Sequence, residues 1–284
     1  MKRTPLISLI SIIAAITAIF SLYMIASILI NGSREQNAFD ELSAIVEQER
    51  VKQNISDNKP QVPEEAIHDN KPQEAEKTIP FIAGPCTEDN TEPAILPEYE
   101  EVYNQNIDFF GWLYIPDTSI NYPVMHTPDN PEYYLHRAFN GKSAYSGTPF
   151  LDAACYEGCG NYIIYGHNMK NGTMFGKLPK FARKEYWEKH KMICFDTLYE
   201  HGEYEIVAAF YGKVISEGEP DFCYYKYTDL TEPTVFEEYM EQVKAAAIYE
   251  TGITAEYGDV LITLSTCSYH TSDGRFVVVA KRTP

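Results

Sequence analysis

The stretch "LITLSTCSYHTSDGRF", Leu261 to Phe276, places two apolar segments on either side of a short polar connection. The segments are apolar and the connection contains Ser, Asp and Gly, a pattern typical of two neighbouring β-strands joined by a hairpin-like loop. Cys267 ends the first strand and Arg275 begins the second, with seven residues between them. We therefore expect the thiol and the guanidinium to lie at the same rim of a sheet.

Six more segments of this kind precede the pair, so the chain has eight predicted strands. Turns containing Gly, Pro, Asn and Asp separate them at the regular spacing of a β-barrel or a β-sandwich. The predicted strands cover residues 111–115, 120–125, 147–152, 161–166, 191–196, 204–214, 259–265 and 275–281.

Two helical patterns interrupt the strands, one over residues 174–190 and the other over residues 231–249. The second has Pro233 in its first turn and an apolar face at helical spacing, which predicts an amphipathic helix packed on the sheet. That face consists of Val235, Phe236, Tyr239, Met240 and Val243. The predicted fold class is mainly β, a barrel with appended helices.

Residues 6–30 form an uncharged, apolar run of 25 residues. A helix of that length spans roughly 37 Å, enough to cross a hydrocarbon core of about 30 Å. Lys2 and Arg3 precede the run, so the positive-inside rule predicts residues 1–5 in the cytoplasm and everything after Asn31 outside. The sequence therefore predicts a single-pass protein of the cell membrane with an extracellular domain.

Residues 31–97 are predicted to form a juxtamembrane helix followed by a linker. Apolar residues at helical spacing begin this region, and Ser33 and Gln36 stand at capping-box spacing. From residue 54 to residue 97 the chain is rich in Pro and acidic residues and repeats the sequence DNKPQ, which predicts a disordered linker. The globular domain is predicted over residues 98–284.

The net charge of −18 at pH 7 argues against a nucleic-acid partner, since phosphates bind basic surfaces. The chain has six cysteines, and their pairing in disulfides is left open by the sequence. Cys155 and Cys159 resemble half of a metal site, but no second pair of similar spacing accompanies them, which disfavours zinc. The cysteines are Cys86, Cys155, Cys159, Cys194, Cys223 and Cys267, of which Cys194 and Cys223 are interpreted as small core residues.

Cys267 is a candidate nucleophile that needs a basic or cationic partner, because a free thiol with a pKa of about 8.5 is only slightly ionised at neutral pH. His167 follows a predicted strand, as Cys267 does, and the local pattern favours it over His270, which stands in the turn. Such a pair supports acyl transfer through a thioester, and Arg275 could hold the oxyanion. Spacing alone is equally compatible with an inert cysteine and a surface arginine.

Three motifs, in order along the chain, resemble a class B sortase. They are "FFGWLYIPDTSINYPVMHTPDNPEYYLHRAFNGK", "IIYGHNMKNGTMFGKL", and "TLSTC" followed by "GRFVVVAKR". The resemblance runs from Ile107 to Arg282. It implies an eight-stranded sortase-type β-barrel, an N-terminal helical segment beginning near Ile95, and a long helix before the strand that bears the cysteine.

The resemblance also implies roles for individual residues. Cys267 would be the nucleophile, His167 the proton-transferring partner, and Arg275 the contact to the substrate and the oxyanion. The positions that match the family's substrate groove are Ser265, Thr266, Asn121 and Met125.

A sortase cleaves a C-terminal sorting signal after its threonine and passes the acyl group to an amine. The resemblance therefore implies surface proteins with a sorting signal as substrates and an amine of the peptidoglycan cross-bridge or of lipid II as acceptor. It implies no metal and no organic cofactor. Three alternatives stay open: pilin polymerisation, with a lysine as acceptor; a secreted cysteine hydrolase with the same Cys–His pair; and a non-catalytic tethered binding module.

Overall fold

The computed structural model describes residues 4–57, 93–215 and 221–284. Most of the predicted linker, including Cys86, lies outside the described residues. Within the described ranges, the chain forms one closed β-barrel with helices around it.

The barrel has eight strands, which confirms the predicted fold class. Around the barrel their order is β1-β2-β3-β4-β7-β8-β6-β5. The strands are β1 (Phe109–Tyr114), β2 (Asn121–Met125), β3 (Phe150–Leu151), β4 (Asn161–Tyr165), β5 (Met192–Thr197), β6 (Glu203–Lys213), β7 (Leu261–Cys267) and β8 (Gly274–Arg282).

The burial of β7 shows that the barrel wall has an inner face and an outer face. It runs parallel to β4 and antiparallel to β8. Because side chains alternate along a strand, Ile262 and Leu264 point into the main core, whereas Leu261 belongs to a second apolar cluster outside the wall. Both faces of β7 are therefore covered, and the strand is almost uniformly buried.

The described ranges contain four α-helices: α1 (Thr4–Asp57), α2 (Pro97–Gln105), α3 (Lys184–Trp187) and α4 (Pro233–Ala246). α4 packs its Phe236, Tyr239 and Val243 against the outer face of the wall, as its apolar face predicts. Short 3-10 helices cover Tyr133–His136, Leu178–Ala182 and Tyr224–Lys226.

The helix predicted over residues 174–190 is reduced to a 3-10 helix and the four residues of α3. Pro179 stands in the first turn of that 3-10 helix, where it supplies no N–H group. Leu178 and Phe181 are nevertheless buried, so the apolar pattern of the segment reflects packing against the barrel rather than a long helix.

α1 is a single helix of 54 residues, and its second half docks on the barrel and on α2. Phe39, Leu42 and Val46 are buried there. The ring of Phe39 packs edge-on against Tyr122 of β2, with 5.3 Å between the ring centroids.

The prediction of a membrane span over residues 6–30, and with it the single-pass membrane localisation, is wrong. No helix in the described part of the chain is both long enough and apolar enough to cross a membrane. The prediction rested on the absence of charge in this run. In the structure the run is one part of a helix that continues to Asp57 through many charged residues.

Candidate active site

Cys267 and Arg275 face each other across the β7–β8 pair. They are direct partners in the antiparallel register, at the point where β7 ends and β8 begins. Partners in such a register project to the same face of a sheet. Arg275 has the same parity on β8 as Val277 and Val279, which lie in the outer apolar cluster. The thiol and the guanidinium therefore share the outer face of the barrel at one rim.

The segment that carries His167 is bonded to β7 on both sides of the histidine. Gly166 N–H donates to Ser265 O over 3.2 Å, and Thr266 Oγ1 donates to Gly166 O over 2.6 Å. Asn168 Nδ2 donates to Cys267 O over 2.8 Å. The backbone of His167 is thereby fixed beside Cys267.

The imidazole of His167 is oriented by the 3-10 helix Tyr133–His136. Its Nε2 lies 2.8 Å from Leu135 O, and because a carbonyl only accepts, Nε2 carries the proton. In the neutral ring, Nδ1 is then the basic nitrogen. Burial lowers the pKa of His167; the Leu135 carbonyl partly offsets this, and the neighbouring His136 lowers the pKa further. The neutral form is therefore the resting form at pH 7.

Arg275 is half-buried and held by the backbone of the β7–β8 turn. Its Nη1 donates to Asp273 O over 3.3 Å and to Gly274 O over 3.1 Å. On its other side, the register pairs it with Gly212 of β6. The guanidinium is thus fixed at the rim by its own turn.

Tyr224 lies beneath Cys267 and Arg275 and was not identified from the sequence. Its hydroxyl hydrogen-bonds to Ser265 Oγ at 2.7 Å, and its ring packs over Gly212, where an added Cβ would lie 3.2 Å from the ring. Burial raises the pKa of Tyr224 to about 12, and the charges of Arg275 and Cys267 both act on it. The cluster of aromatic residues before α4 was a signal of buried packing that could have drawn attention to it.

The four residues predicted to line the substrate groove have side chains engaged elsewhere. Ser265 and Thr266 are 1% and 2% exposed, and each hydroxyl bonds to the protein, to Tyr224 and to Gly166 O. Met125 is fully buried in the core. Asn121 accepts from Trp112 Nε1 over 2.6 Å and donates to Ser43 Oγ of α1 over 2.9 Å.

His270, the alternative base, is exposed in the β7–β8 turn. It contacts Ser268 Oγ over 3.0 Å, and its ring lies 4.8 Å from that of Tyr211. The backbone bonds that hold His167 beside Cys267 have no counterpart at His270 among the described contacts. The geometry therefore favours His167.

The five cysteines in the described ranges are free thiols. Cys155 and Cys159 are buried, and both thiols donate to Asn161 O over 3.4 Å. No group of three or more metal-binding side chains occurs among the residues that the structure describes. Cys155 and Cys159 pack at the start of β4, at the opposite end of that strand from His167.

The arrangement can support nucleophilic catalysis. A thiol, an imidazole with a basic Nδ1 and a fixed guanidinium converge at one rim. No hydrogen bond joins Cys267 to His167 among the described contacts, and such bonds often tighten only when substrate binds. Acyl transfer is the reaction class for which these three groups are sufficient.

Comparisons with known proteins agree with this chemistry. The family model of the sortase domain matches residues 113–283. Sortase B of Listeria monocytogenes is 35% identical over 199 residues, 68% of this chain and 76% of the relative.

Solved structures of sortase B resemble the barrel. Sortase B of Bacillus anthracis in complex with AAEK1 has a TM-score of 0.57 and 31% identity, covering 68% of this chain and 88% of that one. A sortase B–substrate complex of Staphylococcus aureus has a TM-score of 0.58 and 27% identity, covering 67% and 86%. With the family match spanning well over half of its length, the chain belongs to the sortase family as a class B member and is a cysteine transpeptidase.

Proposed function

We propose that this enzyme cleaves a C-terminal sorting signal after its threonine and transfers the protein to an amine of the cell envelope, such as that of a peptidoglycan cross-bridge or of lipid II. Cys267 is the nucleophile, His167 transfers protons, and Arg275 holds the oxyanion. The catalytic unit is residues 98–284. The observation that supports this most directly is the pairing of Cys267 with Arg275, next to a His167 segment bonded to Thr266 and Cys267.

In the first half-reaction, Nδ1 of His167 takes the thiol proton as Sγ of Cys267 attacks the threonine carbonyl carbon. A C–S bond forms, and the carbonyl oxygen becomes an oxyanion that the planar fork of Arg275 stabilises. Collapse of this intermediate breaks the C–N bond of the signal. The leaving amine takes the proton from His167, and a thioester remains on Cys267.

In the second half-reaction, the acceptor amine attacks the thioester carbonyl and gives a proton to His167. The C–S bond breaks, the thiolate of Cys267 regains a proton, and the new amide leaves. Ser265 and Thr266 support the site from within the barrel wall. The hydroxyl of Ser265 hydrogen-bonds to Tyr224, and the hydroxyl of Thr266 donates to Gly166 O in the segment that carries His167.

Mass spectrometry with a panel of sorting-signal peptides and an added amine acceptor tests the proposal. We expect a product that ends at threonine and is joined to the amine, and a thioester adduct on Cys267 when the acceptor is omitted. Cys267→Ala should give neither, whereas the matched control Cys194→Ala, in β5, should give both. If the acyl-enzyme were only hydrolysed despite excess amine, the result would argue against transfer. Turnover by Cys267→Ala would refute the mechanism.

A further inference from the structure

We propose that Glu35 of α1 is a positioning residue for His167: through three consecutive contacts, this helix sets the imidazole's tautomer and direction. The proposal rests on the proton-transfer role proposed for His167. Glu35 lies outside the barrel and outside residues 113–283, which match the sortase domain.

The first contact joins Glu35 to a strap, which we define as residues 144–148. The carboxylate of Glu35 accepts from Tyr145 N–H over 3.2 Å and from Ser146 N–H over 3.3 Å. Ser146 Oγ donates to the same carboxylate. Ser146 is 5% exposed, so its backbone N–H depends on this carboxylate for a partner. An ionised carboxylate, which only accepts, suits three converging donors.

The second contact joins the strap to the 3-10 helix Tyr133–His136. Ala144 N–H donates to His136 O over 3.0 Å, and Thr148 N–H donates to Tyr134 O over 3.1 Å. The strap therefore bonds to the carbonyls on both sides of Leu135.

Gly147 brings the strap directly against the Leu135 carbonyl. Its φ is +62°, and an added Cβ would lie 2.4 Å from Leu135 O. Only glycine allows the backbone to pass so close in this conformation. Movement of the strap would therefore be transmitted to Leu135 O without an intervening side chain.

The third contact is the hydrogen bond from His167 Nε2 to Leu135 O. This bond holds the proton on Nε2 and leaves the Nδ1 lone pair for the Cys267 thiol. Were the carbonyl to move away, the ring could take the other tautomer, with a proton on Nδ1. That tautomer cannot accept the thiol proton at Nδ1, so catalysis would fail although substrate binding would be retained.

The experiment compares Glu35→Ala, Ser146→Ala and the double variant with Ser43→Ala in the whole protein. Ser43 is a matched control because it also makes a hydrogen bond from α1 to the barrel, to Asn121, but does not touch the strap. Two quantities are measured: kcat and KM with a peptide that wild type cleaves, and the ring ¹⁵N shifts of His167, which report the tautomer without depending on activity.

We expect Glu35→Ala to lower kcat by about tenfold with KM changed by less than about twofold, the scale of a misplaced catalytic group. The His167 signals should change from the Nε2–H tautomer to a mixture. Ser146→Ala should cause a smaller change of the same kind. The losses of kcat should not add in the double variant, because both substitutions remove the same contact. Ser43→Ala should keep the wild-type tautomer and kcat.

The two readouts separate the proposal from the function on which it rests. An altered tautomer in Glu35→Ala with unchanged kcat would support the positioning chain and refute the proton-transfer role of His167. A folded Glu35→Ala protein with the wild-type tautomer would overturn the positioning proposal whatever its activity. The same tautomer change in Ser43→Ala would also overturn it, since general loosening of α1 would then be the cause.

Discussion

The protonation of His167 depends on the burial of its ring and on the groups at its edge and face. Leu135 O accepts from Nε2, and His136 stacks on the ring with 5.2 Å between centroids. Burial and His136 disfavour the imidazolium, so the pKa lies below the ordinary value of 6.5. The neutral ring is therefore available as a base across the neutral range.

This lowered pKa predicts the acid limb of the pH profile. If the neutral imidazole takes the thiol proton, kcat/KM should rise with pH through the pKa of His167, with a midpoint below 6.5. His167→Ala should lose about 10²- to 10⁴-fold in kcat/KM, the usual range for a general base. His270→Ala should lose less than about tenfold, since its ring is exposed and its segment is not bonded beside Cys267 as that of His167 is. The opposite order of losses would reassign the base.

Arg275 is expected to act through the shape of its fork as well as through its charge. Arg275→Lys keeps the charge but not the planar donor pair. We expect folding to be preserved and kcat/KM to fall by about 10²-fold or more, the scale of one lost oxyanion donor.

Alkylation of Cys267 provides the check on this variant. The rate with a small alkylating agent should stay near that of wild type in Arg275→Lys, because His167 remains in place. Near-normal turnover in Arg275→Lys would show that only the positive charge at this position matters. A folded variant with an unreactive thiol would mean that Arg275 mainly tunes Cys267.

Among the elements, α1, α2 and β5 meet in a cluster of charged groups. Asp196 of β5 accepts from Arg50 Nη2 over 2.5 Å and from Tyr99 OH over 2.6 Å. His201 contacts both Asp196, over 3.1 Å, and Glu98, over 3.4 Å. Hydrogen bonding to Asp196 raises the pKa of His201. Burial disfavours the Asp196 carboxylate, but bonds from His201 and Tyr99 hold its pKa below the ordinary value.

Taken together, the shifts of His201 and Asp196 contribute most to stability in mild acid. The raised pKa of His201 gives stability that is complete below pH 6.5 and is lost as the pH rises through the folded value. The lowered pKa of Asp196 gives stability that is lost as the pH falls below 3.8. Because His201 is half-exposed, the melting temperature should fall by only about 1–3 °C from this source above pH 6.5.

His201→Gln should abolish this decline, as measured by thermal unfolding between pH 6 and pH 8. His270→Gln is the control, because His270 lies at the other end of β8 and should leave the decline intact. A His201→Gln protein with an unchanged decline would place the titrating group elsewhere.

On the scale of the whole molecule, the docking of α1 extends the enzyme beyond its barrel. Phe39 is the largest buried side chain that α1 contributes to this interface. Phe39→Ala should cost about 3 kcal/mol of docking free energy, at the lower end for a buried phenylalanine.

We expect Phe39→Ala to make residues 33–53 susceptible to limited proteolysis while the barrel remains folded. Val51→Ala is the matched control, since Val51 lies on the same helix but is exposed. Continued protection of this segment in Phe39→Ala would mean that polar contacts such as that of Arg50 with Asp196 suffice to dock the helix.

The sequence was most informative where a local pattern decides a local structure. Two apolar segments joined by a short polar connection predicted that Cys267 and Arg275 meet, and Pro233 with an apolar face predicted α4. All eight predicted strands are present. These features depend on neighbours within a few residues, which a single sequence displays directly.

The sequence was least informative where distant segments meet. Asn121 was assigned to the substrate groove by family resemblance alone, and the sequence does not show that Ser43 contacts it from α1. The same resemblance assigned Ser265 and Thr266, and it does not reveal that their hydroxyls are bonded to Tyr224 and Gly166. The role proposed for Leu135 could not be predicted from the sequence, because it depends on a backbone carbonyl, which every residue possesses.

The place of the β7–β8 hairpin in the barrel has a consequence for folding order. β4 and β6 are complete in the chain before β7 begins, and the hairpin inserts between them. Partners such as Asn161 and Leu261 are far apart in sequence, so this pairing closes a long loop and is expected to form late. Until then β4 and β6 each have an unpaired edge.

The same hairpin carries Cys267 and Arg275. The hairpin brings the thiol and the guanidinium together by itself, and both reach the His167 segment in the step that closes the barrel. A chain whose barrel is still open would therefore lack the proposed base beside the thiol. In the proposed mechanism, closure of the barrel is the step that completes the site.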